Sequence, residues 1–396
     1  MQLKVQKRYT RKLSFNDRIF VVADRLYPPL ANQFIIEGKG VFDRDRWKSA
    51  VETASAANPG TRMVLKGFLW TCRWVDTGIA PPIIEAGQGS GEWDKPETIP
   101  YFTKPLSPEK GPTCEVVLVN GDPLRAIFRT HHAVMDGRGT SLWIEDTFRA
   151  LRGEPCIGSR SPINDFELAH SFQKEMRKPY PTEHIAPTGK AEGSEDGIIT
   201  RRFRLKGKYH NLLAQIALQV AREAWSHADG VVRFAIPVDM RFRVPDLVST
   251  ANLTYAIYVE VKKDTTAEQL TEEITRQIVE KREGMLSRGD DMARYVPLWV
   301  LCKVAKKVIK NRHNNGLYSI SGIVSNMGKI KRPLYIGGGF ECTGMWGIPP
   351  ISDYVPFFIG LAGYDDSIEM VISLPRRMAT GNRIEGLLER INASLK

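Results

Sequence analysis

The chain has 396 residues, and at about 150 residues per domain this length corresponds to roughly 2.6 units, so two domains or two halves of one architecture are expected. A hydrophobic content of 42% with 26% charged residues is that of a globular chain and excludes disordered, collagen-like and low-complexity classes. The formal net charge of +11 calls for a polyanionic partner, but with no zinc-finger, RNA-recognition or helix-turn-helix signature, nucleic acid is not expected.

The start, Met1 to Arg8, is basic and lacks the apolar segment of a secretory signal. No stretch approaches the roughly 18 apolar residues of a spanning helix. Asn32 to Gly38 reads as a strand. Asp43 then stands at an N-cap position, with Trp47, Val51 and Ala54 spaced for one helical face. Asn58-Pro59-Gly60 ends that helix, and Arg62 to Trp70 reads as a further strand. Residues 76–112, rich in Pro and Gly, read as a long irregular excursion.

Cys114 to Val119 and Leu124 to Thr130 form a hairpin around the turn Asn120-Gly121-Asp122-Pro123. The second strand runs into His131-His132, and past Gly137 and Gly139 Thr140 is placed to cap a helix bearing Ile144, Phe148 and Leu151 on one face. Residues 179–197 carry three prolines and three glycines and read as a linker. The expected organisation is an N-terminal half over 1–178, that linker, and a C-terminal half over 198–396. The second half continues the mixture. Strands are expected at 198–205, 234–239 and 254–261, and helices at 209–225, 267–282, 296–312 and 382–395. Five scattered cysteines (Cys72, Cys114, Cys156, Cys302, Cys342) form no C-x-x-C pair. Neither a disulfide framework nor a metal site is expected, and a reducing cytoplasm is the expected compartment.

The segment His131-His132-Ala133-Val134-Met135-Asp136-Gly137 is the sharpest chemical feature. It puts an imidazole, the natural general base near neutral pH, at the end of a strand with a carboxylate close behind. Gly137 opens backbone turns closed to other residues.

HHAVMDG resembles the His-His-x-x-x-Asp-Gly signature of the superfamily that holds chloramphenicol acetyltransferase, nonribosomal-peptide condensation domains, BAHD acyltransferases, wax ester synthases and polyketide-associated or alcohol acyltransferases. Weaker matches follow in the right order. Asn58-Pro59-Gly60-Thr61-Arg62 is similar to the stretch after the first helix. Pro237-Val238-Asp239-Met240-Arg241 is similar to "P-V-D-L-R", with Asn252 where a Gly-Asn often follows. Val324-Ser325-Asn326-Met327-Gly328 is similar to the "S-N-x-G" strand end. The BAHD "D-F-G-W-G" motif is missing; Phe357 to Tyr364 aligns poorly with it.

The resemblance implies an α/β fold with mixed sheets (α+β), built as two chloramphenicol-acetyltransferase-like halves in a V around a tunnel. It implies a stand-alone acyltransferase with no bound cofactor. Its co-substrate would be a thioester of coenzyme A or of an acyl carrier protein, and its acceptor a small hydroxyl or amine. Carried over by position, His132 is the base and His131 a support. Asp136 is a structural carboxylate paired with an arginine, Arg62 being the first candidate and Arg241 the second. Gly137 leaves room for the donor. Ser325 and Asn326 are candidates for oxyanion or donor contacts, or else a strand end satisfying its own backbone. A non-catalytic protein that recruits an acidic carrier is the alternative.

Lys303, Lys306, Lys307 and Lys310 share one helical face, opposite Leu301, Val304, Ala305 and Val308. Two readings of this face stay open: a solvated surface, or a docking site for a carrier protein, a coenzyme A phosphate or an anionic membrane. A monomer with peripheral membrane contact at most is expected.

Overall fold

The computed structural model describes residues 8–87, 91–179 and 181–394; the basic start over 1–7 lies outside them. The first strands are β1 (Thr10–Lys12), β2 (Ala31–Gly40), β3 (Met63–Lys66), β4 (Arg73–Asp76), β5 (Ile83–Ala86), β6 (Cys114–Val119) and β7 (Leu124–His131). They are followed by β8 (Ile198–Lys206), β9 (Val232–Asp239), β10 (Thr254–Val261), β11 (Gly322–Lys329), β12 (Ile336–Gly337), β13 (Phe340–Ile348), β14 (Phe358–Gly363) and β15 (Ser367–Pro375). The helices are α1 (Phe15–Leu26), α2 (Arg44–Ala57), α3 (Pro100–Thr103), α4 (Gly137–Leu151), α5 (Asp165–Phe172), α6 (Leu212–His227), α7 (Ala267–Val279), α8 (Arg288–Met292), α9 (Leu298–Asn315) and α10 (Arg383–Ser394).

Local signals explain most of these boundaries. Ser14 and Asp17 exchange capping hydrogen bonds at the start of α1, and Asp43 accepts from the Arg46 amide at the start of α2. The helix after the histidines is capped by Asp136, not by Thr140. A carboxylate at that end also meets the positive pole of the helix dipole, whereas the Thr140 hydroxyl is taken up by Thr130 at 2.7 Å. The strand expected through Trp70 stops at Lys66. Gly67, at φ +97°, turns the chain there, and a Cβ on it would lie 2.5 Å from the Thr71 carbonyl oxygen. The run therefore folds into a β3–β4 hairpin with Phe68 and Trp70 at its tip. The 76–112 excursion is less irregular than its composition: it contributes β5, parallel to β6, and α3.

Two six-stranded mixed sheets dominate, ordered β12-β13-β2-β7-β6-β5 and β10-β9-β11-β14-β15-β8, with β1-β4-β3 as a small third sheet. In the first, Phe34 and Ile36 of β2 face Trp47 of α2 and Trp143 and Phe148 of α4. Ile35 turns the other way, packing with Ile127, Trp346 and Val371 of β15. Both faces are buried, so β2 is an uninterrupted buried run from Ala31 to Gly38. In the second sheet, Ile236, Val259, Ile359 and Met370 pack against Ile216 and Val220 of α6 and Leu387 of α10.

The two halves are not contiguous in sequence. β13 crosses from the C-terminal half to pair with β2, Met345 lying opposite Ile36, and so covers an edge that would otherwise stand open. The 179–197 segment is anchored: His184 bridges Val231 and Tyr318, and Ile185 and Ala186 enter the C-terminal core. A buried charge cluster ties the sheets together. Arg202 of β8 meets Glu37 of β2 at 3.0 Å and Glu369 of β15 at 3.1 Å, with its guanidinium 4.5 Å above the Trp346 ring. Burial pushes the Glu37 carboxyl up, but Arg202 and Arg125 outweigh it and hold the group below its usual value. Arg202→Met leaves Glu37 with Arg125 alone and Glu369 with Arg204 alone, and chemical denaturation should show a loss of about 2 kcal/mol.

Candidate active site

β7 delivers both histidines. His131 is its last residue, paired with Ala31 of β2. The His131 Nδ1 accepts from the Ala133 amide at 3.2 Å, so a neutral ring carries its hydrogen on Nε2, which stands 3.3 Å from Asp24 Oδ2. This ring is fully buried and ties the motif to the end of α1. His132 is held by its backbone: its amide donates to the Leu30 carbonyl at 2.9 Å, and its carbonyl accepts from Asn252 Nδ2 at 2.9 Å. Its ring lies on Phe20 of α1, with centroids 4.2 Å apart and planes tilted by 38°. Nδ1 is sealed from solvent without a hydrogen bond of normal geometry, so Nε2 is the nitrogen left for a reacting group. Burial pulls the His132 pKa down from 6.5 to about 4, against the opposing pull of Asp136 and the Met135 backbone. The imidazole is therefore neutral at neutral pH.

Asp136 is the opposite case, a carboxylate with every lone pair engaged. It accepts from Arg241 Nη2 at 2.9 Å and Nη1 at 3.1 Å, from the Gly139 amide at 2.7 Å, and from the Leu253 amide and Thr254 hydroxyl at 2.8 Å each. Burial raises its pKa, but Arg241 and these donors prevail and hold it below the ordinary value of 3.8. The first candidate partner, Arg62, is elsewhere: it pairs with Asp76 at 2.6 Å, because its short helical turn faces the start of the β3–β4 hairpin. Arg241 reaches Asp136 because it also bonds Asp239 at 2.7 Å and the Ser249 carbonyl at 2.8 Å, which fix its guanidinium against residues 249–254.

The expected backbone role of Gly137 is corrected as well. Its φ is not in the left-handed region, and a Cβ would meet only Phe34 Cζ at 3.7 Å. Gly139 is the sterically required glycine, since a Cβ there would lie 2.2 Å from the Thr250 carbonyl oxygen. Ser325 and Asn326 point to opposite faces of β11. Ser325 shares its face with Met327, whose Sδ would lie 3.9 Å from a Cβ on Gly347 of β13, so that face turns toward the N-terminal sheet. Asn326 accepts from the Gly328 amide at 2.9 Å and lines an outer cavity of about 500 Å³ with Leu212 and Ile274, a strand end serving its own backbone.

Lys303, Lys306, Lys307 and Lys310 are all exposed on α9. The apolar face expected opposite them is incompletely covered: Val304 is exposed, and only Ile309, Arg312 and His313 of this helix are buried. Residues not anticipated in the sequence complete the site. Phe20, Asn252 and Thr254 come from three different elements, and Asn32 holds the Met135 carbonyl at 2.8 Å. Asn252 alone carried a signal, its place after the P-V-D-x-R-like segment. His313 has partners too, Tyr318 at 3.1 Å and Asp353 at 3.8 Å.

No family profile matches the chain, and no curated protein matches it in sequence. Its architecture does match solved structures. The first condensation domain of the calcium-dependent antibiotic synthetase, in complex with a substrate analogue, aligns with a TM-score of 0.69 at 15% identity over 98% of this chain and 96% of that one. The chain has the condensation-domain fold. A mutant starter condensation domain of rhizomide synthetase, in complex with C8-CoA and Leu-SNAC, aligns at 0.67 and 13% identity over 97% of this chain and 93% of that one. The condensation domain of the Monacolin K polyketide synthase MokA aligns at 0.63 and 10% identity, covering 98% and 96%.

The contrast between the two arginines is measurable. Asp136→Asn or Arg241→Met should cost about 3–5 kcal/mol by leaving one buried charge unmatched. Arg62→Ala should cost clearly less, in melting and denaturant titration of the same preparations.

Proposed function

We propose that the chain is an acyltransferase that moves an acyl group from a thioester to a hydroxyl or amine. The observation that carries this reading is the neutral His132 imidazole, with Nε2 as its available nitrogen, next to a carboxylate that is fully occupied elsewhere. The acceptor oxygen or nitrogen bonds to the thioester carbonyl carbon while its proton passes to His132 Nε2. The resulting tetrahedral oxyanion collapses, the C–S bond breaks, and His132 returns the proton to the departing thiolate. Asp136 takes no proton; it keeps the His132 loop in place. Ser325, on the inward face of β11, is the candidate to donate to the oxyanion, and Gly137 leaves space beside the donor.

Coenzyme A and carrier-protein thioesters are both admitted as donors. The C8-CoA bound by the rhizomide synthetase domain supports that class through a shared fold. The acceptor enters opposite the donor, in a tunnel between the halves with His132 at its middle.

His132→Ala should lower turnover of a thioester substrate by about 10²–10⁴-fold, with an unchanged melting temperature, as followed by release of free thiol. Wild-type turnover in the variant overturns the assignment. The pH profile has a sign of its own. Because the neutral base persists down to about pH 4, kcat/KM should hold level through the range where an ordinary histidine titrates and fall only as pH approaches that value. An acid limb centred on 6.5, the ordinary value for this ring, would show that His132 is not the titrating base.

A further inference from the structure

Large aromatic side chains are exposed on one face, beside the lysines of α9. Phe68 and Trp70 at the β3–β4 tip are 66% and 63% exposed, and Trp299 at the start of α9 is 58% exposed. The segments that carry them are adjacent. The Trp70 and Tyr295 rings stand 6.1 Å apart, and Tyr295 lies four residues before Trp299, in the short turn that leads into α9. Lys303 follows Trp299 by four residues, and its ammonium sits 4.9 Å from that ring. Lys306 and Lys310 continue the same face of α9, with Lys307 beside them. On the hairpin, Lys66 and Arg73 pair across the strands directly behind the aromatic tip, and both are exposed. No carboxylate among the described residues pairs with any of these six cations.

The patch is rigidly built. Arg18 of α1, almost fully buried, donates to the Leu69 carbonyl at 3.1 Å and to the Val296 carbonyl, joining the hairpin tip to the entry of α9. Leu69 is held there at φ +50°, a conformation an L-residue adopts only under constraint, and it presents Phe68 and Trp70 outward on either side. A solvated charged face has no use for three exposed rings locked in this way.

We propose that this face docks on an anionic phospholipid bilayer. Phe68, Trp70 and Trp299 would seat at the headgroup level, where amphipathic rings are most stable, while the six cations meet the lipid phosphates and carboxylates. An acidic protein surface would match the lysines but leaves the exposed rings unexplained. α1 links this face to the site, since Arg18 braces the patch and Phe20, two residues on, carries the His132 ring. The proposal does not rest on the acyltransfer reading and is tested apart from it.

The test is sedimentation of the full chain with phosphatidylcholine vesicles, with and without phosphatidylserine. Binding is expected to the anionic vesicles and to weaken several-fold as salt rises from about 0.1 M to about 0.5 M. Trp70→Ala with Trp299→Ala should weaken it at least about tenfold, and Lys303→Ala with Lys307→Ala by about fivefold for each lysine removed. The melting temperatures of all four surface substitutions should match the parent, which separates lost docking from lost folding. Absence of wild-type sedimentation overturns the proposal, as does sedimentation indifferent to the tryptophan pair. Two further results overturn it: a dimer that the tryptophan variant dissolves, and capture of an acidic carrier protein through the lysines without vesicle binding.

Discussion

The Asp136 carboxylate is the group on which the rest of the site depends. It receives five donors from both halves of the molecule: one from the first turn of α4, and four from Arg241 and residues 253–254. A lone carboxylate in that interior would be prohibitively costly, and a bidentate guanidinium with amide donors is the arrangement that offsets the cost. Since the same side chain caps α4, the helix start, the motif loop and the C-terminal half are set by one group. Asn252, carried on the same 249–254 segment, then fixes the His132 carbonyl. Position of the imidazole is thus a consequence of where a carboxylate is satisfied several residues away.

The second attachment between the halves works by the same physics on a different surface. Glu37 and Glu369 would repel each other across the sheet junction, and Arg202, stacked on Trp346, converts that repulsion into a link. β13 adds backbone pairing to it, since a strand from one half completes the sheet of the other. With a charge cluster at one end of the junction and Asp136–Arg241 at the other, the halves have little freedom to slide. A base that must meet an acceptor within hydrogen-bond distance benefits from such a frame.

Local signals made much of this legible. Asp43 capping α2, the 114–131 hairpin and the boundaries of β10 follow from turn chemistry and periodicity, and they stand where patterning put them. The motif placed His132 at a strand end before a helix because that context is itself local. What escaped was non-local. In one dimension Arg62 ranks ahead of Arg241 as partner for the carboxylate, and only folding shows Arg62 spent on Asp76 and Arg241 on Asp136. The β13 crossover, the Phe20 ring over His132 and the anchoring of 184–188 depend on contacts between segments far apart in the chain. The 62–70 stretch was misread for a related reason: its residues favour a strand, and the turn is imposed by Gly67 and by Arg18 holding the Leu69 carbonyl from another element.

The low basicity of His132 bears on how the proposed reaction would run. A ring whose pKa sits at about 4 cannot deprotonate a free alcohol or retain a proton from solvent. It needs a proton that grows acidic during the step, and the acceptor supplies one: as its oxygen or nitrogen bonds to the carbonyl carbon it gains positive charge, and its proton becomes far easier to remove. Proton transfer and bond formation are then coupled. The same desolvation that weakens the base keeps it unprotonated across the neutral range and makes the protonated ring a strong acid toward the departing thiolate. Burial beside Phe20 and along the sealed Nδ1 edge, which lowers the pKa, would therefore favour both halves of the transfer at once, and Asp136, saturated by its own donors, would not take that proton, its pull toward the charged ring being outweighed by desolvation.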